Sequence, residues 1–188
     1  MKEELRIDIS LITKNPGTNT SLFEDSNDNL WIGTTTGLFV YRIKASTLES
    51  IPEVSGHVAG ITQTADGQIW AVVKNKGIYQ IGQNKHIEHY SFNKDFICVD
   101  ATSDGNLWIG TAEGEVLMFD HRLKEKLTDY SFNCGMKGDI INNITVDIYN
   151  HVWITTNQMI KEFNPRNGAY RSYSTRDKNF LLTRLLSH

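Results

Sequence analysis

Four tryptophans, separated by 39, 38 and 45 residues, constrain the fold of this chain more than any other feature of its sequence. They are Trp31, Trp70, Trp108 and Trp153. Each follows an aliphatic residue and a polar stretch that contains Asp or Asn. Self-similarity at a period of about 20 to 50 residues is typical of repeat architectures. The sequence therefore predicts one structural unit that occurs four times.

Apolar residues recur at matched distances before each tryptophan. Nine positions before it stand Leu22, Ile61, Val99 and Ile144. Twelve positions before it stand Asn19, Val58, Phe96 and Ile141. We expect the four tryptophans and the matched aliphatic residues to form the core. Recurrence at one position of every repeat favours packing over an exposed platform for sugars.

Within each unit the apolar residues alternate with a period of two, which is typical of β-strands. A first strand is predicted to end near Leu22, Ile61, Val99 and Ile144. A polar turn and the tryptophan strand follow, and a second turn is expected at Gly37, Gly77 and Gly114. The third strand ends at Tyr41, Ile81, Phe119 and Phe163. More polar outer strands are predicted at His86–Phe92, Lys126–Phe132 and Ala169–Ser174.

Four short antiparallel strands in about 40 residues are typical of one blade of a β-propeller. The predicted fold is therefore all-β, with about four blades that form a partial propeller or arc. We treat residues 1–188 as a single propeller segment. The blades are expected at about 15–53, 54–92, 93–132 and 133–175. Partial flanking strands are expected at 1–14 and 176–188, with Leu5–Ile12 as an outer strand and Phe180–Leu186 as an inner strand of neighbouring blades.

The repeated phrase resembles a known family. Trp31-Ile-Gly-Thr34 followed by Gly37-Leu-Phe-Val-Tyr41, and Trp108-Ile-Gly-Thr111 followed by Gly114, resemble the two-component regulator propeller repeat. The resemblance covers about residues 15 to 175. It implies the extracytoplasmic sensor region of a Bacteroides-type hybrid two-component system, responding to a polysaccharide breakdown product. Family propellers usually carry about seven blades.

The repeats depart from the family pattern at a few positions. The second repeat has Ala71-Val72-Val73 after its tryptophan, and the fourth lacks the second glycine. The Asp expected six residues before each tryptophan is present as Asp25 and Asp147, whereas Thr64 and Thr102 replace it in the middle repeats. We expect these changes to affect turns more than function.

Composition excludes several classes of protein. The net charge is −3 and no run of Lys or Arg exceeds a pair, so no nucleic-acid partner is predicted. No apolar stretch reaches the roughly 20 residues of a membrane span. Met1–Glu4 is not followed by the apolar core of a signal peptide. We expect a periplasmic location as part of a longer exported sensor, or a cytoplasmic one if the chain is complete as given.

The sequence predicts no catalytic or metal site and no cofactor. His57, His86, His89, His121, His151 and His188 have no metal-binding spacing. His86 and His89 are expected on a solvated strand edge, and His57 and His121 in loops. Asp25-Ser-Asn-Asp-Asn29 resembles the start of a calcium loop but lacks its glycine and its Glu, so a turn is favoured. Cys98 is expected to be a free buried thiol, while a disulfide with Cys134 stays open.

The leading functional hypothesis is a non-enzymatic ligand-sensing or interaction module of a two-component regulator. Ligand contacts are expected in the variable loops after the tryptophan strands. The candidate stretches are Thr34–Thr36, Lys74–Lys76, Thr111–Glu113 and Asn157–Gln158. A structural scaffold without ligand and a propeller lyase or hydrolase are the alternatives. Four blades are also expected to associate with a second copy, with the remaining blades of a longer sensor, or to close alone.

Overall fold

The computed structural model of the chain describes residues 7–82, 86–123 and 126–174. Their strands form four antiparallel sheets of four strands each. In every sheet each strand is hydrogen-bonded to the next in sequence, and the tryptophan lies on the second strand. The four predicted tryptophan-centred units are therefore four blades.

The strand boundaries follow the repeat closely. Blade 1 contains β1–β4, at Asn19–Glu24, Asn29–Thr34, Gly37–Arg42 and Thr47–Ser55. Blade 2 contains β5–β8, at Val58–Gln63, Ile69–Val73, Gly77–Ile81 and Ile87–Ser91. Blade 3 contains β9–β12, at Phe96–Ala101, Leu107–Thr111, Val116–Phe119 and Leu127–Asp129. Blade 4 contains β13–β16, at Ile141–Val146, Val152–Thr156, Met159–Phe163 and Tyr170–Ser174.

The outer strand of blade 3 is shorter than the sequence predicts. Strand β12 ends at Asp129, whereas the pattern extended it to Phe132. The chain leaves the sheet because the backbone N–H of Cys134 bonds to Tyr130 O and that of Gly135 bonds to Phe132 O, which closes consecutive turns. Phe132 lies on this turn with 91% of its surface exposed.

Blades 1 and 2 belong to one compact unit, and blades 3 and 4 to a second. In the first unit Trp31 of β2 is buried in a cluster with Ile61, Ile69 and Tyr79 of blade 2. The backbone N–H of Ser26 also donates to Gln63 Oε1 at 2.9 Å, which joins the turns of the two blades. A large aromatic plate from one blade thus closes the seam with the next.

The second unit repeats this arrangement. Trp108 of β10 meets Phe163 of blade 4 edge to face, with ring centroids 5.6 Å apart. Cys98 and Cys134 lie in the same buried cluster, and both thiols are free. The expectation of a free buried Cys98 is therefore confirmed. Burial raises the pKa of Cys98 to about 11 and that of Cys134 to about 12.

The predicted outer strand at Leu5–Ile12 is wrong for its described part. Residues Ile9–Leu11 form a 3₁₀ turn, which the Asp8 side chain caps by accepting from Ser10 N. Ile9 is buried against Ile32 and Phe39 of blade 1. This short segment covers an apolar sheet face by packing on it, with no strand pairing. The first six residues and the predicted strand at Phe180–Leu186 lie outside the described residues.

Two core assignments also need correction. Leu22 is 66% exposed, although Ile61 and Ile144 at the same repeat position are buried. Those two residues pack in clusters that span two blades, whereas the described N-terminal segment reaches Ile32 but not Leu22. Trp153 is half-buried. Its ring stacks on Tyr173 of its own sheet at 6.0 Å, whereas Trp31 and Trp108 pack against a following blade.

Among the described residues no helix has the length and apolar character needed to cross a membrane.

The glycine two residues after the tryptophan allows the seam to close, so we expect Gly33→Ala and Gly110→Ala to destabilise the protein. A Cβ at residue 33 would lie 2.8 Å from Val58 Cγ1 of blade 2, and one at residue 110 would lie 3.0 Å from Ile141 Cγ2 of blade 4. Overpacking of this kind costs about 1–3 kcal/mol. Urea unfolding measures the change, with Ser26→Ala on an exposed turn as the control. Unchanged unfolding midpoints in both glycine variants would contradict the assignment.

Because both thiols are buried and their pKa values are raised, we expect native Cys98 and Cys134 to react slowly with a thiol reagent. At pH 8 only about one Cys98 side chain in a thousand would be a thiolate, and access is closed as well. Titration with Ellman's reagent should count about two thiols after unfolding in guanidinium. Rapid reaction of either thiol in the native protein would show that its burial is wrong.

Candidate functional site

The turn before the tryptophan strand is organised by a single carboxylate in blades 1 and 4. In blade 1, Asp25 Oδ1 accepts the backbone N–H groups of Asn27 and Asn29, both at 2.9 Å. Its Oδ2 accepts the indole Nε1–H of Trp31 at 2.8 Å. The Asp six residues before the tryptophan therefore closes the turn and also anchors the ring that fills the seam.

Asp147 makes the same set of contacts in blade 4. Its Oδ1 accepts from the backbone of Tyr149 and His151 at 2.9 Å, and its Oδ2 accepts the Trp153 indole at 2.9 Å. For Asp25 and Asp147 alike, burial would raise the pKa, but the hydrogen bonds led by the indole outweigh it. The pKa of each carboxyl is lowered below the ordinary 3.8.

In blades 2 and 3 the turn before the tryptophan strand contains a threonine and an aspartate that are hydrogen-bonded to each other. Thr64 Oγ donates to Asp66 Oδ1 at 2.5 Å, and Thr102 Oγ donates to Asp104 Oδ1 at 2.5 Å. The Asp has moved two positions along the turn, and the threonine hydroxyl holds it. The replacement of Asp by threonine therefore changes the hydrogen bonding of the turn in these two blades.

The calcium-like segment is a turn, as the sequence favoured. The Asp25 carboxylate accepts hydrogen bonds from N–H groups. Both of its oxygens accept from the side-chain amide of Asn29, Oδ1 at 3.1 Å and Oδ2 at 3.0 Å. Within residues 7–82, 86–123 and 126–174, no group of three or more His, Cys, Asp or Glu side chains is arranged to hold a metal.

The four predicted ligand stretches lie at the turns between the second and third strands of the blades. Their backbone is used to hold the chain as it enters the first strand. The N–H groups of Thr35, Lys74, Ala112 and Asn157 donate to the carbonyls of Thr18, His57, Asp95 and Ile140. Thr34 and Thr156 turn their hydroxyls inward to the carbonyls of Gly37 and Met159. The side chains of Lys76, Glu113 and Gln158 in these stretches are exposed, and Lys76 Nζ donates to Ser55 Oγ at 2.9 Å.

A cleft of about 430 Å³ lies in the first unit, at the opposite end of the blades from these turns. Its polar lining consists of Asp25, Asn27, Asn29, Arg42, Glu49, Ser50 and Glu53. Its apolar lining consists of Trp31, Ile51, Pro52, Ile69, Ile81 and Ile87. Backbone from Gly67 and Gly82 completes it. None of the four predicted stretches contributes, so the sequence did not identify this site.

The cleft forms because blade 1 supplies its polar rim and blade 2 much of its apolar base. Arg42 ends β3, and its Nε donates to Glu49 Oε1 of β4 at 3.0 Å, with each side chain one-third exposed. Ile69 and Ile81 belong to the buried cluster that contains Trp31. The described side chains of the lining offer hydrogen-bonding groups and apolar contact surface.

The corresponding edge of blade 4 carries a different set of side chains. His151 Nδ1 lies 3.0 Å from Glu162 Oε1, and His151 Nε2 lies 3.1 Å from Asn164 Nδ2. Tyr173 donates to Glu162 Oε2 at 2.5 Å. Burial, and then this bond to Glu162, raises the pKa of Tyr173. Asn164 occupies the position in blade 4 that Arg42 occupies in blade 1. Each lies two residues after the strand partner of its tryptophan, which is Glu162 for Trp153 and Val40 for Trp31.

A buried ion pair in the second unit was also missed. Lys161 Nζ lies 3.2 Å from Asp139 Oδ2 and donates to Gly135 O at 2.8 Å, with the Lys161 side chain 5% exposed. It ties the turn after β12 to β15. The sequence signal for this ion pair is a lysine at an inward position of an alternating strand. Lys161 lies opposite Ile154 and two residues before Phe163, both of which are in the core.

The histidines lie largely where the sequence predicts. His86 and His89 are exposed, and His89 stacks on Tyr79 at 4.1 Å. His57 lies in the connection between β4 and β5, and His121 in the turn after β11. The Nδ1 of His121 is buried without a hydrogen-bond partner in the structure. His188 lies outside the described residues.

Solved structures similar to this chain include a β-propeller domain and the extracellular domain of a protein described as a two component system. One is virginiamycin B lyase from Staphylococcus aureus, with a TM-score of 0.71, 15% identity, and coverage of 87% of this chain and 58% of that one. Another is the extracellular domain of a protein described as a hybrid two component system from Bacteroides thetaiotaomicron, with a TM-score of 0.64 and 21% identity. The match covers 83% of this chain and 23% of that one. The four sheets are β-propeller blades.

A third similar structure is an auxiliary nutrient binding protein from B. thetaiotaomicron VPI-5482, with a TM-score of 0.66 and 15% identity. The match covers 84% of this chain and 42% of that protein. At these identities the likeness shows the fold alone. This chain spans between about a quarter and three-fifths of the three structures.

The sequence itself matches one family model. Residues 14–36, which include β1 and the Trp31 strand, match the two component regulator propeller repeat. No curated protein matches the chain by sequence. The resemblance deduced from the tryptophan phrase is therefore supported by this repeat in blade 1.

We expect Asp25→Asn and Asp147→Asn to lower the free energy of unfolding at pH 7 by about 1.5–3 kcal/mol each, the usual value of hydrogen bonds to a charged group. Because the folded-state pKa of each carboxyl is lowered, this contribution is complete above the unfolded pKa of 3.8. It is lost as the pH falls through the folded-state pKa. Urea unfolding from pH 7 to pH 2 should show each variant converging on the parent protein. A difference that stays constant with pH would contradict the role of the charge.

Proposed function

We propose that this chain is a non-enzymatic ligand-sensing module, part of the periplasmic sensor of a two-component regulatory system, and that the cleft of blades 1 and 2 binds a saccharide. The observation that carries the proposal is the cleft itself, with a polar rim and an apolar base. The regulator propeller repeat in blade 1 and the sensor and nutrient-binding proteins among the similar structures support the same role.

The size and lining of the cleft suit a short oligosaccharide. Its volume of about 430 Å³ falls in the range of ligand pockets, about 300–1,000 Å³. A sugar presents hydroxyl groups at its edge and C–H groups on its faces. The amides of Asn27 and Asn29 and the guanidinium of Arg42 can bond to hydroxyls, while Ile51 and Pro52 offer apolar contact. Trp31 is 6% exposed, so it contributes an edge of the wall and no stacking surface.

A ligand in this cleft can affect the packing of the first unit, because the lining comes from both of its blades. Asp25 and Glu49 belong to blade 1, while Gly67 and Ile87 belong to blade 2. A ligand that contacts both would favour one packing of the two blades over others by its differential affinity. In a sensor, that change would pass to the remaining blades of a longer chain, or to a second copy.

The structure brings together one cluster of titratable side chains that the enzyme alternative could use, but their contacts do not favour catalysis. His151, Glu162 and Tyr173 lie together in blade 4, but they are bound to one another and to Asn164. A general base must reach the proton of a substrate. Here the Glu162 oxygens accept from Tyr173 and face His151, so the arrangement favours a structural role. The lyase among the similar structures adds only its fold.

A panel of short oligosaccharides tests the proposal by the thermal unfolding midpoint and by titration calorimetry. We expect at least one to raise the midpoint, and Arg42→Gln to weaken its binding by about tenfold, since hydrogen bonds to a charged group contribute about 1.5–3 kcal/mol. Arg166→Gln is the matched control because Arg166 is exposed on blade 4, outside the cleft. Absence of binding across the panel, or equal weakening by both variants, would overturn the proposal.

A further inference from the structure

The cleft of blades 1 and 2 is acidic. Its described lining includes the carboxylates of Asp25, Glu49 and Glu53 and the single guanidinium of Arg42, a formal charge of −2. A further ion pair of blade 1, Lys44 with Asp28 at 2.8 Å, lies outside the described lining and adds no net charge. Clefts lined by charge of one sign concentrate ligands of the opposite sign.

Arg42 does little to offset this charge. Its Nε is 3.0 Å from Glu49 Oε1, and the two side chains are equally exposed, so the pair is close to neutral as seen by a ligand. Glu53 follows on the same strand, β4, and is exposed on the rim. The charge left over on the described lining is therefore that of Glu53 and Asp25.

Asp25 keeps its charge at neutral pH. The hydrogen bonds from Trp31 and Asn29 lower the pKa of its carboxyl despite burial, so the group is ionised wherever the protein is folded near neutrality. Its donors are all neutral, and they spread the charge without removing it. Asp25 thus provides a buried, fixed negative charge in the lining, and Glu53 provides an exposed one.

We propose that the cleft selects a saccharide that carries an ammonium group, such as a 2-amino-2-deoxy sugar, over a neutral sugar of the same size. This inference rests on the proposed function of the cleft as a saccharide site. The ammonium group donates a charge-assisted hydrogen bond to the Glu53 carboxylate on the rim. The C–H face of the ring lies on the apolar base, which both classes of sugar can use equally.

The preference has a definite size. A unit charge about 4 Å from a carboxylate gains about 1 kcal/mol in water, which is about fivefold in affinity. The preference should also shrink in about 1 M salt, where the screening length falls to about 3 Å. Neutral sugars should show no such dependence on salt.

Three disaccharides with the same β-1,4 linkage test the inference by calorimetry on the whole chain: diglucosamine, cellobiose and N,N′-diacetylchitobiose. The titrations are made at about pH 6, where the amino groups of the sugar are protonated. We expect diglucosamine to bind about fivefold more tightly than the two neutral sugars. Glu53→Gln should sharply reduce that ratio, because it removes the accessible carboxylate of the described lining. Glu113→Gln, which removes an exposed carboxylate of blade 3, is the control and should preserve the ratio.

The possible results separate this inference from the proposed function. Equal or tighter binding of a neutral sugar by the parent protein would overturn the charge selection and leave the saccharide site standing. A preference that survives in Glu53→Gln, or is lost in Glu113→Gln, would also overturn it. Failure of every saccharide to bind, charged or neutral, would overturn the proposed function itself.

Discussion

Packing of a tryptophan from one blade against the next sheet is the interaction on which both compact units depend. A four-stranded sheet has two faces to cover, and a single blade cannot cover them itself. Trp31 packs against blade 2, and Trp108 packs against Phe163 of blade 4. The glycines at 33 and 110 allow the sheets to approach that closely. Trp153, by contrast, is half-buried and stacks on Tyr173 of its own blade.

The polar turn before each tryptophan strand supports this packing, and that link connects the core to the candidate site. A buried indole needs a partner for its N–H, and Asp25 and Asp147 provide one while they close the turn. In blade 1 the same turn forms part of the cleft rim. The residues that hold the core tryptophan therefore also determine the electrostatic character of the cleft, so a change of turn chemistry in one blade changes its binding surface.

Equivalent positions in different blades carry different chemistry on one backbone. Arg42 with Glu49 in blade 1 corresponds in register to Asn164 with Arg171 in blade 4. His151 takes the place of Asn29. The main chain stays the same because its strands and turns are fixed by the inward residues, and the outward side chains vary freely. Such variation allows a repeat fold to present one specific cleft among several similar edges.

The repeat, the strand order and three of the buried tryptophans follow from the sequence alone, because alternation and turn residues are local properties that the chain carries in every copy. The cleft does not, since Arg42, Glu53 and Ile87 are distant in sequence and meet only when blade 1 packs on blade 2. Lys161 and Asp139 are paired by the same kind of long-range contact. The local patterns around Leu22 and Trp153 match those of the other repeats and therefore predict that both residues lie in the core. Their exposure depends on which neighbouring sheet covers them, and that is decided only by the tertiary structure.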